Sequence, residues 1–396
     1  MNDSAKFCPL FRPNEKELKT IEQDVAEVSD IQKTLLDRDK HLHRTDRVAH
    51  QYQIAGGIVS FTVTDDLPSE LDGVGLFERG ARYLGIARLS TGLGTPHLET
   101  NPDFLGARLA FQTRRGERVD FLALNDPAAP TDSHRDFVSV LYATGESAGA
   151  ELPLVGDWGA YDAGNLAAEQ LEFGKALVKR LGLLHAGKTL AHIVKQTLRT
   201  FLSSTAYQQY WTGVVEINAM VGKFTLMPSK DENRRPGLRP GERHLSEEWK
   251  RRQASGDVEF RLYWIPYLNE DKTSVKRLTA PWEESHKKFV GTVVFPKTDT
   301  NSEDAKLWAI LASEMGANPG NWVRDRANAI KEPATDFETA RKFAYRLSQA
   351  GRGVLPEAQY QSVFASGKID AALAQELKKR FDEKKKLGHI DCAPSG

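Results

Sequence analysis

Apolar and polar residues alternate in short runs between residues 53 and 124: IVSFTVT at 58–64, YLGIARLS at 83–90, ARLAFQT at 107–113 and RVDFLAL at 118–124. A period of two predicts strands, and the RRGE between the last two runs predicts a hairpin. A second set follows at 214–220 (VVEINAM), 223–227 (KFTLM), 258–264 (VEFRLYW) and 289–295 (FVGTVVF). In VEFRLYW, Val258, Phe260, Leu262 and Trp264 alternate with Glu259, Arg261 and Tyr263, so one face of that strand is buried and the other wetter. The period changes to 3.6 over residues 14–42, where Leu18, Ile21, Val25, Val28, Ile31 and Leu35 form one narrow apolar stripe on a charged helix. A helical stretch is predicted over 135–205, with Leu183, Leu184, Leu190, Ile193, Val194, Leu198 and Phe201 as its apolar positions. Further helices are predicted at 302–315, 336–350 and 369–386, and the polar PSKDENRRPGLRPGERHLSEE, 228–248, reads as a loop.

Two groups of about four strands, with helices between and after them, define an α+β chain built on an antiparallel barrel of about eight strands. A barrel of that size is either filled by side chains or holds one ligand. Residues 1–42 form a helical arm, 43–355 the barrel domain and 356–396 a helical tail ending in the basic run KKRFDEKKK.

Composition narrows the function classes. Lys+Arg and Asp+Glu both total 54, which removes any global electrostatic ground for nucleic acid as a partner. The two cysteines, Cys8 and Cys392, lie near opposite ends and cannot form a disulfide framework or a thiolate metal site. Whether they pair is left open, as is a homo-oligomeric state. The N-terminus has no apolar core of signal-peptide length and no 18-residue apolar run occurs, so a cytoplasmic protein with no transmembrane segment is the expectation. No HExxH is present.

The chemistry-bearing residues fall in three short segments: DRVAH at 46–50, ARLST at 87–91 and RKFAYRLSQAGR at 341–352. Arg88 and Ser90 share one strand face. Arg341, Tyr345, Ser348 and Arg352, at offsets 0, 4, 7 and 11, share one helix face, with Gly351 as the expected stop. Taken together the segments resemble the catalase-like haem protein superfamily. Arg47 to His50 is similar to that family's Arg-Val-Val-His, Arg88 to Thr91 to its Arg-Phe-Ser-Thr, and Arg341, Tyr345 and Arg352 to its proximal-helix spacing.

The resemblance implies a catalase-like eight-stranded barrel with flanking helices, and haem b buried between the barrel and a C-terminal helix. Tyr345 would be the proximal iron ligand, bound as tyrosinate, with Arg341 one turn earlier supplying a charge-assisted hydrogen bond. Arg47, Arg88 and Arg352 would pair with the haem propionates, Thr91 would lie in the same cofactor-binding segment, and Phe137 would stack on the macrocycle. His50 would be the distal acid/base, oriented by Ser90. The family's distal asparagine falls on Leu124, with Asn125 beside it, and Asn125 would serve only if a bulge shifted the strand register. The activity implied is peroxidase chemistry on hydrogen peroxide or organic and lipid hydroperoxides, with an unidentified electron donor and little true catalase activity. Rearrangement of a fatty-acid hydroperoxide, as in the allene oxide synthase branch, and a haem or lipid carrier stand as alternatives.

Overall fold

The computed structural model describes residues 8, 11–37, 47, 49–50, 52–92, 99, 103–147, 163–200, 204–217, 220–229, 244–321, 324–325, 329–330, 332–333 and 335–386. Cys392 lies outside them, while Cys8 is a half-buried free thiol.

Strands β1 (Gln53–Val63), β2 (Arg82–Thr91), β3 (Leu105–Gln112) and β4 (Arg118–Leu124) form an antiparallel meander. After three helices, α2 (His134–Ser147), α3 (Ala163–Leu181) and α4 (Leu183–Thr200), the chain returns to the sheet. It does so as β5 (Tyr210–Thr212), β6 (Val215–Ile217), β7 (Met220–Pro228), β8 (Val258–Pro266) and β9 (Lys288–Phe295). The hydrogen-bonded order β7-β5-β4-β3-β2-β1-β9-β8, with β8 pairing back to β7, closes an eight-stranded antiparallel barrel. No strand of the ring is left with an open edge. The segment read as a loop over 228–248 differs at its end: His244–Ser255 is a helix, α5, because Leu245 and Trp249 bury against the barrel core.

Odd-numbered residues of β2, β3 and β4 point into the barrel, and the interior is filled rather than hollow. Phe61 meets Phe111 at 5.6 Å between ring centres, Phe121 meets Phe224 edge-to-face at 5.3 Å, and Trp264 lies 4.8 Å from Phe224. Offset and edge-to-face rings at these separations add to the burial energy of the core. The space for a ligand is therefore outside the barrel wall.

That outer wall is covered by helices. The long helix α7 (Asp336–Arg352) packs with α1 (Glu15–Asp37) and α2 through Val25, Val28, Ile31, Val138, Leu141, Ala340 and Ala344, using the apolar stripe of α1. His134 ties the three together: one ring nitrogen lies 2.8 Å from Asp336 and the other 3.0 Å from Asp24. On the other flank α6 (Glu303–Glu314) and the C-terminal α8 (Ala371–Lys386) pack on Ile86 and Ala110. The connection from α6 to α7 is held by the fully buried carboxylate of Asp120, which accepts from Arg118, Asn318 N–H (3.0 Å) and Asn321 Nδ2 (2.8 Å). Among the described residues no helix is long and apolar enough to cross a membrane.

Helix α7 runs one residue past the expected stop. Gly353, with φ 60°, takes the left-handed C-cap, while Gly351 remains helical. Gly351 is there for packing, since an added Cβ would sit 3.1 Å from Nε2 of Gln32, which donates to the Ser348 carbonyl. Arg352 is consequently the last helical residue. Gly353→Ala is expected to lower stability by about 1 kcal/mol, because an L side chain disfavours that φ; thermal unfolding measures it.

Candidate functional site

A cavity of about 250 Å3 lies between the outer face of β2–β4 and helices α1, α2 and α7. Even-numbered strand residues face it, Arg88 and Ser90 from β2, Gly106 and Arg108 from β3, Leu122 and Leu124 from β4. From α7 come Phe337, Glu338, Arg341, Tyr345, Ser348 and Arg352. The polar face of that helix, which in isolation reads as solvated, thus turns inward. Arg47, His50 and Phe137 complete the convergence of the sequence-predicted residues.

His50 is held in an unusual conformation. Its φ of 59° is the one positive value at a non-glycine position among the described residues, and such strain persists only where the surroundings enforce it. The enforcement is visible: His50 N–H donates to the Gly92 carbonyl (3.1 Å), and Arg88 Nη2 donates to the His50 carbonyl (2.9 Å). The ring lies against Gly106, where a Cβ would stand only 2.5 Å from Nδ1, so only glycine leaves room for it. Nδ1 is 3.0 Å from the Thr91 carbonyl and 3.2 Å from Ser90 Oγ.

Burial, then the nearby Arg88 charge, push the His50 pKa down to about 3, so the imidazole is neutral at pH 7. A carbonyl can only accept. The single ring proton therefore sits on Nδ1, donated to Thr91, and Nε2 is left as a bare acceptor. Thr91 acts through its backbone, and its side chain does not line the cavity.

This depressed pKa has a sign for stability. The unfolded histidine titrates near 6.5 and the folded one near 3, so below pH 6.5 the unfolded chain binds a proton that the folded chain refuses. Stability is fully present above that pH and falls as pH drops towards 3. We expect a loss of about 2 kcal/mol from this group between pH 7 and 5. His134 runs the opposite way, because its hydrogen bond to Asp336 raises its pKa. Denaturant titrations at the two pH values, on wild type and His50→Phe, isolate the His50 share: the variant should lose less.

On α7, Arg341 Nη1 reaches both oxygens of Glu338 at 3.0 Å and also hydrogen-bonds Tyr345. Burial alone would lower the Arg341 pKa, but Glu338 and Tyr345 more than reverse that and raise it. Arg341 therefore stays cationic beside the Tyr345 oxygen.

Arg47 donates to the Ser313 carbonyl (2.7 Å) and Arg88 to Gln53 Oε1 (3.1 Å). Arg108 is the least satisfied. Nη1 reaches the Ala312 and Met315 carbonyls, while its buried Nε and Nη2 meet no acceptor. Burial, with Arg118 close by, pushes its pKa down to about 9. A cavity wall with orphaned guanidinium donors is short of anions.

Asn125 does not reach the cavity: no bulge interrupts the β3–β4 pairing, so Leu124 faces the cavity and Asn125 the other way. Its Oδ1 accepts from Leu105 N–H at 2.7 Å and its Nδ2 points to Gln208 Oε1 at 3.4 Å. Phe137 lines the cavity but stacks edge-to-face on Phe337, 5.2 Å away. Four charged lining residues escaped the sequence reading altogether: Arg108, Asp126, Lys223 and Glu338. Glu338 had a signal, its i,i+3 spacing from Arg341. Lys223 donates to the Pro127 carbonyl (2.6 Å) over the Trp282 ring, and burial pulls its pKa down to about 8.

The cavity's chemistry fits a haem. It offers apolar walls for a macrocycle, guanidinium donors in want of acceptors for two carboxylates, and a phenol oxygen beside a cation for a ferric ion. No cluster of three or more metal-ligating His, Cys, Asp or Glu occurs among the described residues; the Tyr345 phenol lines the cavity.

An α+β protein with a closed eight-stranded antiparallel barrel, a site on its outer wall and helices over that site has the catalase-like fold. Three solved structures share it at 17% sequence identity: a fungal catalase (TM-score 0.57, covering 80% of this chain and 60% of that one), catalase A from Saccharomyces cerevisiae (0.58, 81% and 62%) and a bacterial catalase (0.57, 87% and 62%). The chain spans about three fifths of the length of these catalases. No protein-family model and no curated protein matches the sequence.

Proposed function

We propose that the protein is a haem-dependent peroxidase that reduces hydrogen peroxide or organic hydroperoxides at the expense of a separate electron donor. The observation that carries this is His50: a strained, neutral histidine whose proton is fixed on Nδ1, leaving a base on the cavity wall. A carrier needs no such base, and the cost of the strain, about 1–3 kcal/mol, would be unrewarded in one.

Haem, when bound, supplies the iron and the redox equivalents for breaking the O–O bond. Arg47, Arg88, Arg108 and Arg352 would hold its carboxylates, and Tyr345 would be its protein ligand. Arg341 keeps a positive charge at the Tyr345 oxygen, which favours the anion. His50 Nε2 would accept the proton of one peroxide oxygen and hand it to the other, the oxygen that leaves as water or an alcohol. Thr91 and Ser90 hold the ring while it does so. Two electrons and two protons from the donor complete the reduction to two hydroxyl products. With Asn125 turned away, no asparagine lines the cavity among the described residues, and we expect weak dismutation of hydrogen peroxide.

The apolar walls at Leu122, Leu124, Phe137, Val140 and Leu141 favour a second reading, rearrangement of a fatty-acid hydroperoxide without a donor. Incubating haem-loaded protein with a polyunsaturated hydroperoxide, with and without reductant, separates the two. Consumption that requires reductant supports the peroxidase; rapid loss of the conjugated diene without it supports rearrangement; neither activity refutes both.

A further inference from the structure

Helices α3 and α4 are built inside out. The side of α4 turned into the protein carries Thr189, Gln196 and Thr197 beside Ala186 and Ile193. Its exposed side carries Leu184, Ala191, Val194 and Leu198, at offsets of 0, 7, 10 and 14, one stripe down the helix. Leu183 and Leu184, at the turn, are 75% and 85% exposed. On α3, Leu171 and Val178 are exposed seven residues apart. Six of the seven large hydrophobic residues exposed among the described residues lie on this hairpin. A surface helix ordinarily hides such a stripe, and an exposed one of this extent marks a contact.

The charge around the stripe says what the contact is with. Between residues 173 and 215 there are six lysines and arginines and no aspartate or glutamate, in a chain whose total charge is zero. Lys175 and Lys179 on α3, and Lys188 and Lys195 on α4, are exposed and project 20° to 80° to one side of the leucines at 100° per residue. Leucines flanked by lysines on a helix lying flat are the pattern of an interfacial amphipathic element. A second copy fits less well, since a two-fold pairing of the stripe would bring lysines onto lysines. We propose that the α3–α4 hairpin docks the protein on an anionic lipid surface. Phe173 of α3 and Ile193 of α4 line the cavity, so docking would set the cavity directly behind the lipid-facing hairpin.

The proposal is independent of haem binding and is tested without it. Full-length protein is floated with vesicles of pure phosphatidylcholine and of phosphatidylcholine containing phosphatidylglycerol, while light scattering follows its mass in solution. The expected result is binding to the anionic vesicles, weakened by salt. Lys188→Gln with Lys195→Gln should weaken it roughly 25-fold, at about fivefold per lysine near an anionic surface. Leu184→Ser with Leu198→Ser, both at exposed positions that leave the fold and its circular dichroism unchanged, should weaken binding at least about tenfold. Failure to bind either vesicle overturns the proposal, as does binding that neither pair of substitutions reduces. A dimer that the leucine substitutions disperse would instead assign the face to a second copy.

Discussion

Replacing His50 with alanine should lower hydroperoxide turnover by roughly 10²- to 10⁴-fold, the usual worth of a positioned acid/base, while haem remains bound. Retention of haem follows from the division of labour proposed for the site: His50 makes its contacts with Thr91, Ser90, Gly92 and Arg88, and none of them is to α7. Removing the ring also removes the cost of keeping a histidine neutral in a buried place, while alanine keeps the backbone strain at φ 59°. The variant should therefore be at least as stable as wild type below pH 6, an activity loss without a stability loss. Steady-state rates with cumene hydroperoxide and a chromogenic donor measure the first, denaturant titration the second. Turnover within about tenfold of wild type would remove His50 from the chemistry.

The second large effect concerns a group that the sequence reading did not single out. Glu338→Gln should destabilise the protein by about 3 kcal/mol, because it leaves Arg341 buried without its countercharge. The side chains of both are almost wholly enclosed, at 5% and 12% exposed, so solvent cannot screen the loss. The glutamine is nearly isosteric, which separates the charge effect from packing against Gly213, whose missing Cβ makes room for the carboxylate. A loss below about 1 kcal/mol would place the pair with ordinary surface bridges. The substitution should also leave Arg341 free to bond Tyr345 alone.

The barrel was legible because its strands obey a period of two, and RVDFLAL at 118–124 coincides with β4 residue for residue. In β4 Val119, Phe121 and Ala123 face the barrel core, but the alternate face is not the wetter one that a period of two implies. Arg118 and Asp120 look like a solvated face, yet both are buried, since the segment between α6 and α7 covers the outside of the wall. Arg108 and Lys223 were missed for the same reason: a charge on a strand reads as exposed unless the covering element is known. Asn125 shows the reverse limit. A count along the chain brought it within one residue of the cavity, and a one-residue difference in a strand is a change of face. The helix face of Arg341, Tyr345, Ser348 and Arg352 survived because helical spacing is local, whereas the stop did not, because two glycines two residues apart compete for the cap and tertiary contact with Gln32 decides between them.

The central claim is that this cavity holds haem with Tyr345 on the iron. Its most direct test is the ferric absorption spectrum of haem-loaded wild type beside that of Tyr345→Phe. We predict a Soret band with tyrosinate charge-transfer features in the wild type, and a shifted band with weakened haem retention in the variant. Absence of a Soret band in the wild type, or the same spectrum from both proteins, would contradict it.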